Sequence, residues 1–303
     1  CEIAYNATFM ALLWDAVATK RATLLSLGIK SIPDKLERAT WLNYIRCHDD
    51  IGLGFDDNDI RLAGYDPKLH RKFLVDYYTG NHKASPARGV AFGINKKNGD
   101  ARIAGSLASL AGLESAIENS DAEATQDAIN TILLLHSLIL SFGGIPLLYY
   151  GDAIGTLNDI SYLDDEHKQN DSRWVHRPKL NWDRASLRNS HGTVEHRIFS
   201  ALKKMIAVRK EITAFADHNN RELLDVENPH LFVFSRFDNI NTYSRVLVIG
   251  NFDNQPQSLD IEGLRTKGFF QHNTARDLHT GDNISVENQL LDIPALGFYW
   301  LQT

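Results

Sequence analysis

Three ionisable side chains in a row, His48-Asp49-Asp50, end a run of strand-forming residues, Trp41-Leu42-Asn43-Tyr44-Ile45-Arg46-Cys47. In a parallel barrel the catalytic groups gather at the C-terminal ends of the strands, so polar residues at such a point are candidates for chemistry. Buried without partners, the three would be costly. A turn in which Asp49 or Asp50 caps a helix accounts for the same residues, and paired acids alone do not separate the two readings. The second concentration is Asp171-Ser172-Arg173-Trp174-Val175-His176-Arg177-Pro178. An arginine beside an aromatic, in a loop after a strand end, suits hydroxyl or carboxylate binding because the guanidinium offers a rigid fork of donors. A surface ion pair explains that arginine equally well. Arg102, in Asn98-Gly99-Asp100-Ala101-Arg102, reads by itself as a solvated charge. Twelve histidines without cysteine support make no metal signature; there is no His-Glu-x-x-His and no calcium loop, so neither metal nor cofactor is expected. Gly143-Gly144 and Gly151 are turn glycines, and no phosphate-cradling loop is present. Asn6-Ala7-Thr8 and Asn283-Ile284-Ser285 read as chance glycosylation sequons.

These groups need elements to position them. Thr8 to Leu27 places Met10, Leu13, Trp14, Val17 and Leu24 on one face at helical spacing, which predicts one amphipathic helix. Trp41 to Cys47 predicts a strand. Asp127 to Phe142 predicts an apolar helix stopped by Gly143-Gly144, and Ile145 to Tyr150 a buried strand. Thr193 to Glu211 predicts another helix. Strand and helix in alternation is the order of a parallel α/β structure. The pattern changes near residues 216 to 222. Beyond it, Leu231-Phe234, Arg245-Asn251, Gln257-Ile261, Ala275-Leu278 and Phe298-Leu301 are short runs parted by Asn, Asp, Gly and Pro, which predicts an antiparallel β-sandwich. Residues 51–124, glycine-rich from Gly52 to Gly112, are too long for a simple connection and read as a functional insertion.

Composition narrows the classes. The 303 residues are 43% hydrophobic and 23% charged, those of an ordinary globular protein. With 32 Lys+Arg against 38 Asp+Glu the net charge is -6, which disfavours nucleic acid as a partner. Cys1 and Cys47 supply neither a disulfide framework nor a four-cysteine zinc site. The longest apolar stretch, Ile132 to Phe142, is too short to span a bilayer, so no membrane is expected. With Cys1 in place of an initiating methionine and no leader-like start, the sequence reads as a processed chain or a piece of a longer one, with a cytoplasmic location favoured.

Taken together, the motifs resemble the later part of an α-amylase superfamily barrel (glycoside hydrolase family 13). His48-Asp49-Asp50-Ile51-Gly52 is similar to its seventh strand end. Gly144-Ile145-Pro146-Leu147-Leu148-Tyr149-Tyr150-Gly151-Asp152-Ala153-Ile154-Gly155 is similar to its eighth strand. Gly155-Thr156-Leu157-Asn158-Asp159, Ala87-Arg88-Gly89, Gly99-Asp100-Ala101-Arg102 and the Asp171–Pro178 run resemble the amylosucrase and sucrose hydrolase branch.

The resemblance implies an α/β fold class: the C-terminal part of a (β/α)8 TIM barrel over residues 1–218, followed by an antiparallel β-sandwich over residues 219–303. Cys1 to Asn6 and Trp41 to Cys47 stand for strands six and seven, and about 51–124 for an inserted subdomain on the acceptor side. By the same resemblance Asp49 is the transition-state stabiliser and His48 its neighbour on the sugar ring. Asp50 and Arg102 face the leaving-group or acceptor side. Arg173 closes the glucose pocket through an ion pair with an upstream acid. Retaining glycosidases pass through an oxocarbenium-like state, where hydrogen bonds to ring hydroxyls strengthen. A pocket closed at one end suits exo-acting cleavage of sucrose, with glucan or water as acceptor. The implied activity is an amylosucrase-like glucosyltransferase; the alternatives are a sucrose hydrolase and a non-catalytic carbohydrate-binding fragment. Two departures follow from the family pattern: Ala153 stands where Glu is usual, and the nucleophilic Asp and acid/base Glu fall upstream of Cys1. The chain alone is therefore expected to be inactive, and the pattern leaves its oligomeric state open.

Overall fold

A computed structural model describes residues 2–32, 38–95, 100–216, 220–238 and 245–303. Cys1 of the expected sixth strand, Asn98 and Gly99 of the Arg102 motif, and residues 217–219 of the expected boundary lie outside the described residues. The first part runs β1 (Ile3–Tyr5), α1 (Ala7–Thr19), α2 (Thr23–Ser31), β2 (Thr40–Tyr44), α3 (Asp57–Leu62), α4 (Pro67–Tyr78), β3 (Val90–Phe92), β4 (Arg102–Ala104), α5 (Leu107–Leu110), α6 (Leu113–Glu118), α7 (Ala122–Ser141), β5 (Ile145–Leu147), α8 (Trp182–Ser186) and α9 (Val194–Glu211). Strands β1, β2 and β5 form a parallel sheet in that order, with Leu42 of β2 opposite Tyr5 on one side and Ile145 on the other. The helical crossovers between them are what parallel pairing requires.

The expected single helix over Thr8–Leu27 is two helices. Lys20 ends α1 in the left-handed region at φ 56°. Tertiary contacts hold the break: Lys20 Nζ donates to Asn254 Oδ1 at 2.6 Å, and the Ala22 N–H donates to the Pro229 carbonyl at 2.7 Å. The anticipated stripe is otherwise kept, with Met10, Leu13, Trp14 and Leu24 buried and Val17 half-buried. Strand β2 stops at Tyr44 rather than Cys47. The Ile45 carbonyl takes the Trp14 indole N–H at 2.8 Å, which removes it from the ladder. The strand expected buried over Ile145–Tyr150 is only β5, and Ile145 is 39% exposed. Among the described residues β5 pairs with β2 alone, so its outer side has no cover.

Residues 51–124 hold α3, α4, the antiparallel β3–β4 ribbon, α5 and α6. A bridge between Ile51 and Ile103 lays β4 beside the residues that follow Asp50. Neither Asp49 nor Asp50 caps a helix; α3 is capped by Asp56, whose side chain accepts from the Asn58 N–H.

The second part contains β6 (Arg221–Leu223), β7 (Leu231–Phe237), β8 (Arg245–Asn251), β9 (Gln257–Asp260), α10 (Glu262–Thr266), β10 (Thr274–Asp277), β11 (Asn283–Ser285), β12 (Leu290–Ile293) and β13 (Phe298–Gln302). Six of its strands form an antiparallel sheet, β11-β10-β13-β8-β7-β6, and β12 pairs with β9. The alternation along β7 and β8 sorts side chains to two cores. Leu231, Val233, Leu247 and Ile249 face Leu259, Leu291 and Ile293 within the sandwich. Phe232, Phe234, Val246 and Val248 join Leu134 and Leu138 of α7 in the larger core. Among the described residues no helix is long and apolar enough to cross a membrane.

Candidate functional site

Beyond Tyr44 the chain leaves the sheet and carries Arg46, Cys47, His48, Asp49 and Asp50 past the C-terminal end of β2. The long loop that follows β5 brings the second cluster, around Ser172–His176, to the same place. Arg173 Nη1 lies 3.4 Å from Asp49 Oδ1, and Arg177 Nη2 lies 3.3 Å from the same oxygen. Oδ2 instead turns to His48 Nε2, 3.3 Å away. The structure thus brings Asp49, His48 and Arg173 together across 124 residues of chain.

Asp171 fixes the direction of Arg173. Its carboxylate accepts from Nε and Nη2, both at 2.9 Å, and from the Arg173 N–H at 3.1 Å. This fork holds the Asp171 carboxyl below the usual carboxylate range and pushes the guanidinium up. The Arg173 guanidinium also lies 4.8 Å over the Phe92 ring of β3. Among the described residues, then, the acid that pairs closely with Arg173 is Asp171, in its own loop.

Two buried groups set the backbone beneath Asp49. His176 Nδ1 accepts the Gly105 N–H at 3.0 Å, so Nε2 carries the ring proton and donates to the His48 carbonyl at 3.1 Å. Arg177 Nε donates to that carbonyl too, at 2.6 Å. Burial pushes His176 down to about 3, with the Arg46 charge acting in the same direction. Arg46 itself is buried against Asp152, Nη1 to Oδ1 3.3 Å, and lies 4.4 Å over the Tyr149 ring. Burial raises Asp152 to about 6 even though Arg46 favours its charged form. Ala153 follows in the same short turn, half-buried against the core. An apolar methyl thus stands beside the strand end where the resemblance has a carboxylate.

Asp50 and Arg102 meet at 3.3 Å, with the Asp50 side chain 7% exposed and Arg102 largely in solvent. The Ile51–Ile103 bridge makes that meeting possible, and it gives Arg102 a partner that its local sequence does not show. Asp49 is 49% exposed and stands on an open ledge, not at the floor of a closed pocket. The flanking β1 and β5 each have one strand neighbour among the described residues. Sequence reasoning singled out His48, Asp49, Asp50, Arg102 and Arg173 but gave no role to Arg46, Asp152, Asp171, His176 and Arg177. The last three lie inside the Asp171–Pro178 run and were legible as members of it. The buried Arg46–Asp152 pair, 106 residues apart, has no local signature.

An exposed carboxylate that accepts from two guanidiniums at 3.3–3.4 Å, with an imidazole nitrogen 3.3 Å away, is held loosely. It remains free to accept shorter hydrogen bonds from hydroxyls. The ledge as a whole sets guanidinium donors around a carboxylate acceptor, an arrangement able to hydrogen-bond hydroxyls.

No protein-family model matches the chain. It is 24% identical over its whole length to a "Trehalose synthase/amylase TreS" of Mycolicibacterium smegmatis, of which it covers 49%. Over 72% of its length it is 24% identical to a "Glucosylglycerate phosphorylase" of Escherichia coli, of which 36% is covered. The chain thus spans half or less of the length of these curated relatives. In fold it is similar to sucrose 6F-phosphate phosphorylase from Thermoanaerobacter thermosaccharolyticum, with a TM-score of 0.55, 16% identity, 82% of this chain and 43% of that one. The relatives named here bear the names of enzymes that act on sugars, the likeness to the phosphorylase is one of fold, and none of the three is named an amylosucrase.

Proposed function

We propose that this chain is the C-terminal part of a retaining, sucrose-acting glucosyl enzyme of the α-amylase superfamily. Residues 1–218 supply the last strands of a (β/α)8 barrel, with about 51–124 as an acceptor-side subdomain, and residues 219–303 form a β-sandwich. Asp49 accepts hydrogen bonds from two glucosyl hydroxyls, and these tighten as positive charge builds at the anomeric carbon. His48 lies on the same ring, Arg173 closes the glucose end, and Asp50 with Arg102 faces the acceptor. The nucleophile and acid/base are contributed by chain upstream of Cys1. The observation that carries the reading is the convergence of Asp49 with Arg173 and Arg177 at one strand end. The sucrose donor rests on the sequence resemblance.

The test is chromatography of products after the full-length protein is given sucrose. Glucan plus fructose identifies the transferase, and glucose plus fructose the hydrolase. Unconsumed sucrose overturns the sucrose reading. One observation favours a second reading, a sugar-binding piece without chemistry: Asp50 and Asp171, the acids beside Asp49, are each tied to an arginine, Arg102 and Arg173. Sugar binding by the full-length protein with no product from any glucoside would select it.

A further inference from the structure

The same strand end places a thiol beside the imidazole and carboxylate. One donor atom from each of Cys47, His48 and Asp49 lies within 4.8 Å of the other two. We propose that these three residues form a site for a thiophilic divalent cation of the Zn2+ class, where the ion competes with sugar hydroxyls for the Asp49 carboxylate.

Geometry favours it. A tetrahedral zinc with bonds of about 2.0–2.3 Å holds its donor atoms roughly 3.5 Å apart. His48 Nε2 and Asp49 Oδ2 are already 3.3 Å apart. Both side chains are about half exposed or more, so small rotations bring them towards the thiol. The two arginines contact Oδ1, whereas Oδ2 lies 3.3 Å from His48 Nε2. Their positive charge opposes a cation, but the contacts are exposed and screened, whereas a metal–thiolate bond is specific to soft ions. A cysteine side chain is mostly in its thiol form at neutral pH. Binding forms the sulfur–metal bond, breaks S–H and releases one proton to water. Three protein donors with a fourth position open to water make an exchangeable site, unlike the closed four-ligand structural kind. Familiar metal motifs space their donors along a helix or between strands, so three consecutive residues carry no such signature.

Metal binding stands on the geometry alone; inhibition rests on the proposed role of Asp49. The probe for binding is Co2+ titrated into the full-length protein and read as thiolate-to-cobalt absorption in the near ultraviolet. The band is expected in the Cys1→Ser protein, should be erased by Zn2+, and should vanish in Cys47→Ser with at least a tenfold loss of Co2+ affinity. Should Cys47→Ser fold poorly, labelling by a thiol reagent, read at Cys47 itself by peptide mass mapping, decides: Zn2+ should slow it several-fold and a chelator restore it. A missing cobalt band at saturation, or labelling indifferent to Zn2+, overturns the site. Zn2+ should also raise the KM for sucrose while Cys47→Ser turns over normally and resists the metal. Zn2+ that binds without altering sucrose turnover overturns the competition. If sucrose is never consumed, the function fails while the cobalt band still decides the site.

Discussion

Asp49 owes its proposed role to the looseness of its contacts. Three long, partly exposed contacts at 3.3–3.4 Å contribute little to stability, so removing the carboxylate should leave the fold intact. Asp49→Ala in the full-length enzyme is expected to lower kcat by at least about a hundredfold, the scale of losing one transition-state contact. Steady-state kinetics with a thermal melt as control checks this, and an unchanged kcat rejects the assignment. The buried residues beneath it behave oppositely. His176, pushed down to about 3, and His136, pushed down to about 4, are held neutral by burial. An unfolded histidine binds its proton near 6.5, so between that value and the folded ones the unfolded state holds more protons. Their contribution is full above about pH 6.5 and is lost as the pH falls towards 3. Asp152, raised to about 6, has the reverse sign: its contribution is greatest below its unfolded value of 3.8 and declines as the pH rises through 6. His136 and His176 thus contribute a loss of stability on acidification below about pH 6.5, opposed by Asp152 and by the other carboxyls that burial raises, Asp15, Glu114 and Asp127. Denaturant melts at several pH values measure it, and His176→Gln should flatten the slope while keeping a donor and an acceptor. A slope that His176→Gln leaves unaltered removes His176 from the account.

Elements obeyed the sequence where packing is local and departed from it where distant chain intervenes. Arg245–Asn251 and Thr193–Glu211 were legible almost to the residue, because alternation and a Thr193 cap are properties of the segment itself. The break at Lys20 was not, since it depends on Asn254 and Pro229, more than two hundred residues away. For the same reason Asp49 and Arg173 were legible as reactive types, whereas the ledge they share and the buried Arg46–Asp152 support were not. Gly143-Gly144 shows how much a short element can constrain. Both residues have positive φ, 99° and 107°, and a Cβ on Gly144 would meet the Trp41 carbonyl at 2.5 Å. Asn43 reaches across to the Gly143 carbonyl and also accepts from Asn6, the cap of α1, so one corner registers α1, β2 and β5. Gly144→Ala should therefore destabilise by about 1–3 kcal/mol through backbone strain, and more if β2 is displaced. Urea unfolding measures the cost. A neutral result would mean that β5 can shift without disturbing β2, contrary to the tight approach seen here.

At the scale of the molecule, the end of α7 joins the two halves of the described chain. The last carbonyls of a helix lack intrahelical partners, and cations near them are favoured by the helix dipole. Three arginines meet that need. Arg209 of α9 donates to the Leu140 carbonyl at 2.8 Å, Arg221 of β6 to Phe142 at 2.7 Å, and Arg236 of β7 to Ser141. Burial lowers Arg221 to about 10, which still leaves it charged at neutral pH. Arg236 is 0% exposed and holds Asn220 Oδ1 through Nε and Nη2 as well. The guanidinium of a sandwich strand is thus the cap of a helix that carries the α/β core, and the Phe232, Phe234 and Trp300 side chains lie in that same core. Stability of either half should depend on the other, giving one transition by far-ultraviolet circular dichroism and by tryptophan fluorescence alike. Arg236→Met fills similar space but leaves the Ser141 carbonyl and Asn220 without that donor, at a cost of about 2–5 kcal/mol. The two probes should then separate, with the sandwich loosening first, because β7 loses its anchor while α7 keeps the Arg209 and Arg221 contacts. Coincident midpoints shifted by less than about 0.5 kcal/mol would show that apolar contact alone couples the halves.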